Sequence, residues 1–246
     1  VQVLSNTTYH WGGGVRAGGA VIVSDSRFEN NRSTNGNGGG LHTSTTLYLT
    51  NTHFISNTAA GVSSSGYGGG AYAQGAATAV NSRFENNRSV GNSGGGLHTS
   101  STLLLTNTHF ISNTAFAGGG ARADGAVRAS GSRFENNRST SDSGGGLFAF
   151  STVQLTDTQF ISNTAASSGG GASASGAVTA VNSLFENNRS TNNLGGGLLA
   201  NSTLILTNTH FISNTASNAG GGAYAGGADK IGNRPFEDNR STREGD

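Results

Sequence analysis

Residues 94–113 read GGGLHTSSTLLLTNTHFISN, and the rest of the chain repeats their frame. Three glycines open the frame, a phenylalanine stands sixteen residues after the first glycine, and an asparagine closes it three residues later. Nine copies fit into the 246 residues. The triplets begin at Gly12, Gly38, Gly68, Gly94, Gly118, Gly144, Gly169, Gly195 and Gly220. The phenylalanines are Phe28, Phe54, Phe84, Phe110, Phe134, Phe160, Phe185, Phe211 and Phe236. The asparagines are Asn31, Asn57, Asn87, Asn113, Asn137, Asn163, Asn188, Asn214 and Asn239. The period varies between 24 and 30 residues, and every change of length falls between one asparagine and the next triplet. A rigid coil joined by one tolerant loop has that property.

Offsets counted from the first glycine predict strands. Apolar or small residues stand at +3, +5, +9 and +11, as in Leu97, Thr99, Leu103 and Leu105, while the residues between them vary freely. That alternation marks strands with one buried face, and no segment shows a helical period. Position +13 holds Asp25, Asn51, Asn81, Asn107, Gly131, Asp157, Asn182, Asn208 and Asn233. These are the residue types that best tolerate a left-handed backbone, so the pattern predicts a one-residue corner there. Glycine, serine or threonine at +7 predicts another corner before the second strand.

The expected fold is all-β: a right-handed parallel β-helix of about nine coils with three short strands in each, the third strand closing on the asparagine. Strand spacing gives a rod on the order of 45 Å long. The phenylalanines would stack as a continuous ladder inside, and the asparagines as a second ladder of amides. Coils alternate between an alanine or valine type ending FENNR and a leucine type ending FISNT, so large and small layers interdigitate. The chain reads as one domain: residues 1–11 a partial coil, 12–227 regular coils, 228–246 a degenerate last coil with Asp229, Pro235 and a charged tail.

Composition narrows the function classes. Net charge is +1 and 11% of residues are charged, with no basic stripe dense enough to collect nucleic-acid phosphates. No apolar run is long enough for a membrane-spanning helix. The absence of cysteine excludes disulfides and thiolate metal sites. With no signal peptide and no methionine, the chain reads as a processed or excised one. Uncharged repeats rich in Asn, Ser, Thr and Gly suit an extracellular or cell-surface location.

The pairing of GG-[Ala/Leu] with Phe-x-x-Asn resembles the repeats of chlamydial polymorphic outer membrane proteins and related bacterial surface proteins. The resemblance covers the whole chain and implies a β-helix displayed outside the cell, often adhesive. Under it the triplets, phenylalanines and asparagines are structural residues. This sequence departs from those proteins in having no cysteine and no autotransporter barrel.

Several constellations could carry chemistry. β-Helical polysaccharide lyases and hydrolases need clustered carboxylates. Here Glu29, Glu85, Glu135, Glu186 and Glu237 recur once every second coil, a uniform column rather than a cluster, with arginines at +15 and +20 as expected partners. His42 and His98 at +4, and His53, His109 and His210 at +15, are expected in outward columns too widely spaced to share a metal ion. Threonine pairs such as Thr106/Thr108 are similar to flat ice-binding faces, yet a corner separates each pair. The Asn-Arg-Ser triplets match a glycosylation sequon that a buried ladder would close off.

The expectation is therefore a non-catalytic extracellular structural protein without catalytic, cofactor or metal residues. Its expected partner is another copy of itself, because residues 3–7 align with the third strand of a leucine coil and would follow residues 236–240 in phase. The alternatives are an adhesin that binds glycans or cell-surface ligands through outward columns and loops such as 58–67, or a polysaccharide-cleaving enzyme.

Overall fold

The structure, a computed structural model, describes residues 1–61, 65–232 and 236–242. The described residues form strands and no helix, wound into a β-solenoid of about nine turns. In the coil that starts at Gly94 the strands are Leu97–Thr99, Leu103–Thr106, His109–Ile111 and Thr114–Ala115. Equivalent strands of successive coils pair in parallel, as Phe84 with Phe110 and Phe110 with Phe134 do. Four sheets run along the rod. The first and second contain nine strands, the third and fourth ten, because Gln2–Leu4 and Thr7–Thr8 precede the first full coil.

The count of strands per coil corrects the sequence reading, which gives three. The third strand ends at +17, because the next residue also adopts a left-handed backbone: φ is 54° at Asn86, Ser112 and Asn136. This second corner lets the two residues after the buried asparagine pair as a strand of their own. The corner expected at +13 is present, with φ between 45° and 57° from Asp25 to Asn208. Asn233 lies outside the described residues, as do Pro235 and residues 243–246.

One triplet shows why the frame needs three glycines. Gly94 has φ +70°, where a side chain would be strained. A Cβ on Gly95 would come within 2.2 Å of the Gly119 carbonyl oxygen in the next coil and 2.7 Å of the Thr114 nitrogen in its own. A Cβ on Gly96 would press on the Phe110 ring at 2.9 Å. The triplet is where the backbone closes the cross-section over its own fourth strand.

The interior is filled by the expected alternation. Leu97, Leu103 and Leu105 are buried while Leu104 between them is exposed. Ala71 and Ala121 flank Leu97 in register, so this leucine sits between alanines. Phe28 to Phe236 form one stack of nine rings, with neighbouring centroids 4.7–4.9 Å apart and planes within 11°. Burial of each ring from Phe28 to Phe211 contributes roughly 2–3 kcal/mol. Val3 pairs with Phe28 ahead of the first ring, and Phe236, the last ring, is 42% exposed among the described residues.

Candidate functional site

The nine asparagines form the expected amide ladder, and Asn6 adds a tenth rung at the start. Each interior amide is saturated. Asn113 Oδ1 accepts from the backbone N–H and the Nδ2 of Asn87, at 2.9 and 3.0 Å. Asn113 Nδ2 donates to the Phe84 carbonyl at 2.9 Å and to Asn137 Oδ1 at 3.0 Å. Buried polar groups need such partners, so the ladder fixes both spacing and register. It also closes the sequons, since Asn31, Asn87, Asn137 and Asn188 are buried.

A further ladder lies at +14, where Ser82, Thr108, Ser132 and Thr158 are buried. Thr108 Oγ1 donates to the Thr106 carbonyl at 3.0 Å, and its N–H donates to Ser132 Oγ at 3.2 Å. The threonine pairs are thus split: Thr156 and Thr207 face out while Thr158 and Thr209 face in.

On the outer face of the third sheet, Glu29, Glu85 and Glu135 each accept from the arginine two residues earlier. Arg27, Arg83 and Arg133 donate through Nε at 2.8, 2.8 and 2.9 Å. The hydrogen bond from Arg27 holds the Glu29 carboxyl below the usual carboxylate range and raises Arg27 in turn. The arginines at +20, also expected as partners, make no ion pair among the described residues; they stand on the next sheet, around the second corner. Register places Arg83 between His53 and His109. Partial burial, with Arg83 and Arg133 on either side, lowers the His109 pKa.

The fourth sheet carries a column with strict alternation: Thr7, Arg32, Thr58, Arg88, Thr114, Arg138, Thr164, Arg189, Thr215, Arg240. All five arginines are exposed. Beside them runs the second corner, where asparagine accompanies arginine from Asn30 to Asn187 and serine accompanies threonine. The loop expected at 58–67 starts later, since Thr58–Ala59 is a strand, and residues 62–64 lie outside the described residues.

The +4 column of the first sheet corrects the placement of two histidines. His42 and His98 stand on the outer face but are 4% and 1% exposed, clamped between flat groups. The Trp11 and Tyr72 rings stack on His42 at 5.1 Å each, and Tyr72 and Tyr67 lie 5.4 and 4.6 Å from His98. Arg16 caps Trp11 at one end, and Arg122 lies over Phe150 at the other. Arg122 also donates to Asp124 at 3.2 Å, while His98 Nε2 stays 3.7 Å from that carboxylate. Burial, with Arg16 nearby, lowers His42 to about 4, and burial lowers His98 as well. Burial alone would raise Asp124, but His98 and Arg122 beside it hold it low. Burial raises the Tyr72 phenol, whose hydroxyl lies 3.1 Å from Ser100 Oγ. Sequence reasoning missed Trp11, Tyr67, Tyr72, Arg122 and Phe148 as one group. For Tyr72, Arg122 and Phe148 the signal was present as a run of large or flat residues from Arg16 to Phe148 at +4, whereas Trp11 and Tyr67 stand one residue before their glycine triplets.

No protein-family model, curated protein or solved structure matches this chain.

Proposed function

We propose that this chain is a non-catalytic, extracellular structural protein, a stiff β-solenoid rod that lengthens by stacking its end coils on those of another copy. The observation that carries this reading is the register shared by the ladder's first and last described rungs. Among the described residues, Asn6 Oδ1 has no donor, and Asn239 Nδ2 has the Phe211 carbonyl as its one acceptor. Placing Asn6 of one molecule above Asn239 of another supplies the donor and a second acceptor. The same placement sets Val3 on the exposed ring of Phe236 and Thr7 on Arg240, in phase with every interior rung. Open strand edges favour such addition, and a head-to-tail contact of this kind does not close on itself.

The junction is weaker than an interior step. Matching the third and fourth sheets leaves the first and second one strand short, since they hold nine strands against ten. Assembly therefore depends on concentration. The surface location is supported by the composition and by the resemblance to chlamydial-type surface repeats, and the non-catalytic reading by the Arg–Glu pairs at Glu29, Glu85 and Glu135, which are spaced along a column rather than clustered. Electron microscopy of concentrated protein tests the proposal: rods one molecule wide and several molecules long are expected, and dispersed single rods at every concentration would contradict it.

A further inference from the structure

The outer columns of the third and fourth sheets differ in one respect. Third-sheet arginines are neutralised by their glutamates, whereas Arg32, Arg88 and Arg138 have no side-chain hydrogen bond or ion pair among the described residues. They recur every second coil, about 9.6 Å apart, twice the strand spacing. Thr114 occupies the rung between Arg88 and Arg138, and the amides of Asn86 and Asn136, also without side-chain partners among the described residues, stand beside the arginines.

We propose that this strip binds a linear acidic polysaccharide lying along the rod, with a carboxylate on every second sugar. An extended β-linked glycan advances by close to one strand spacing per sugar. One sugar then falls on each coil, an acidic one on each arginine rung and a neutral one on each threonine rung. The guanidinium of an exposed arginine matches a carboxylate in a two-point, charge-assisted contact. Asparagine amides and serine or threonine hydroxyls at the corner meet the sugar hydroxyls. Glu186, Glu237 and Asp238 add negative charge towards the far end, so the stretch from Arg32 to Arg138 is the favoured part. The site is complete on one molecule and does not depend on end-to-end assembly.

The test is calorimetric titration of the monomeric protein with a hyaluronan decasaccharide, in which glucuronate alternates with N-acetylglucosamine. Binding that weakens with salt is expected, with a loss of about tenfold or more in Arg88→Gln/Arg138→Gln. A neutral chitin oligosaccharide should not bind. Arg27→Gln/Arg133→Gln, on the third sheet, should bind as the parent does. All substituted side chains are at the surface, and parental melting of each variant confirms the fold. The proposal is overturned if hyaluronan does not bind, if the Arg88/Arg138 variant binds unchanged, if the Arg27/Arg133 variant loses binding, or if poly-L-glutamate binds as tightly.

Discussion

Asn87 gives two hydrogen bonds to a single atom of Asn113: its backbone N–H and its Nδ2 both end on Asn113 Oδ1, at 2.9 and 3.0 Å. The pair is repeated along the rod and couples each coil to the next through a side chain as well as through the sheets. Replacing Asn113 by alanine would take the side-chain partner from three polar groups, the two donors of Asn87 and the Phe84 carbonyl, while Asn137 Oδ1 keeps only the backbone N–H of residue 113. The expected cost is about 3–5 kcal/mol, from roughly 1–3 kcal/mol per unsatisfied buried group with partial relaxation. Asn113→Asp is expected to be at least as damaging, because a carboxylate can accept but would face Asn137 Oδ1. Denaturant unfolding of both variants checks this; tolerance of aspartate would mean the amide hydrogens are unimportant.

Inside and outside are separated by one pair of substitutions. Phe110→Ala removes a ring stacked on both sides and should cost roughly 3–5 kcal/mol. Glu135→Ala breaks only an exposed pair with Arg133, where effects of about 0–1 kcal/mol are usual. Thermal melting should therefore move by many degrees for the first and hardly at all for the second.

Backbone closeness makes Gly95 the least replaceable glycine of its triplet. Gly95→Ala drives a methyl into two backbones and should cost at least about 2–3 kcal/mol. Gly18→Ala, where a Cβ meets nothing within 4 Å, should be neutral or stabilise by about 0.4–1 kcal/mol. Similar melting temperatures for the two would remove the close-approach explanation of the triplets.

Acid should loosen the aromatic column before it touches the carboxylates. His42 titrates at about 4 in the fold, against about 6.5 unfolded, and His98 is shifted the same way. Below about pH 6.5 the unfolded chain takes up protons that the fold refuses, so stability falls with pH until the native histidines titrate. The slope is at most about 1.4 kcal/mol per pH unit for each histidine. Urea midpoints between pH 7 and 4.5 should fall for the parent and fall less for His42→Gln/His98→Gln; equal slopes would count against buried neutral imidazoles.

Much of this architecture was legible because hard constraints recur at fixed offsets. A ring that must stack and an amide that must meet its own kind leave no freedom in spacing, and Asn107 or Asp157 at a left-handed corner reports the backbone directly. The fourth strand was not legible. Thr114–Ala115 is too short to show alternation, and the corner before it alternates serine with asparagine, as at Ser112 and Asn136, so residue type marks it only in every second coil. The aromatic column was hidden for another reason. Arg16, Tyr72 and the histidines His42 and His98 belong to three chemical classes and share only flatness, which becomes a property once coils are stacked.

The end-to-end claim is tested most directly by light-scattering mass against concentration, for the parent and for Asn6→Asp/Asn239→Asp. The parent should rise above its 24.7 kDa monomer in whole multiples as concentration increases. The variant, which sets two carboxylates against each other across the junction, should remain a monomer. A parent that stays at the monomer mass throughout, or a variant that assembles equally well, would contradict the account.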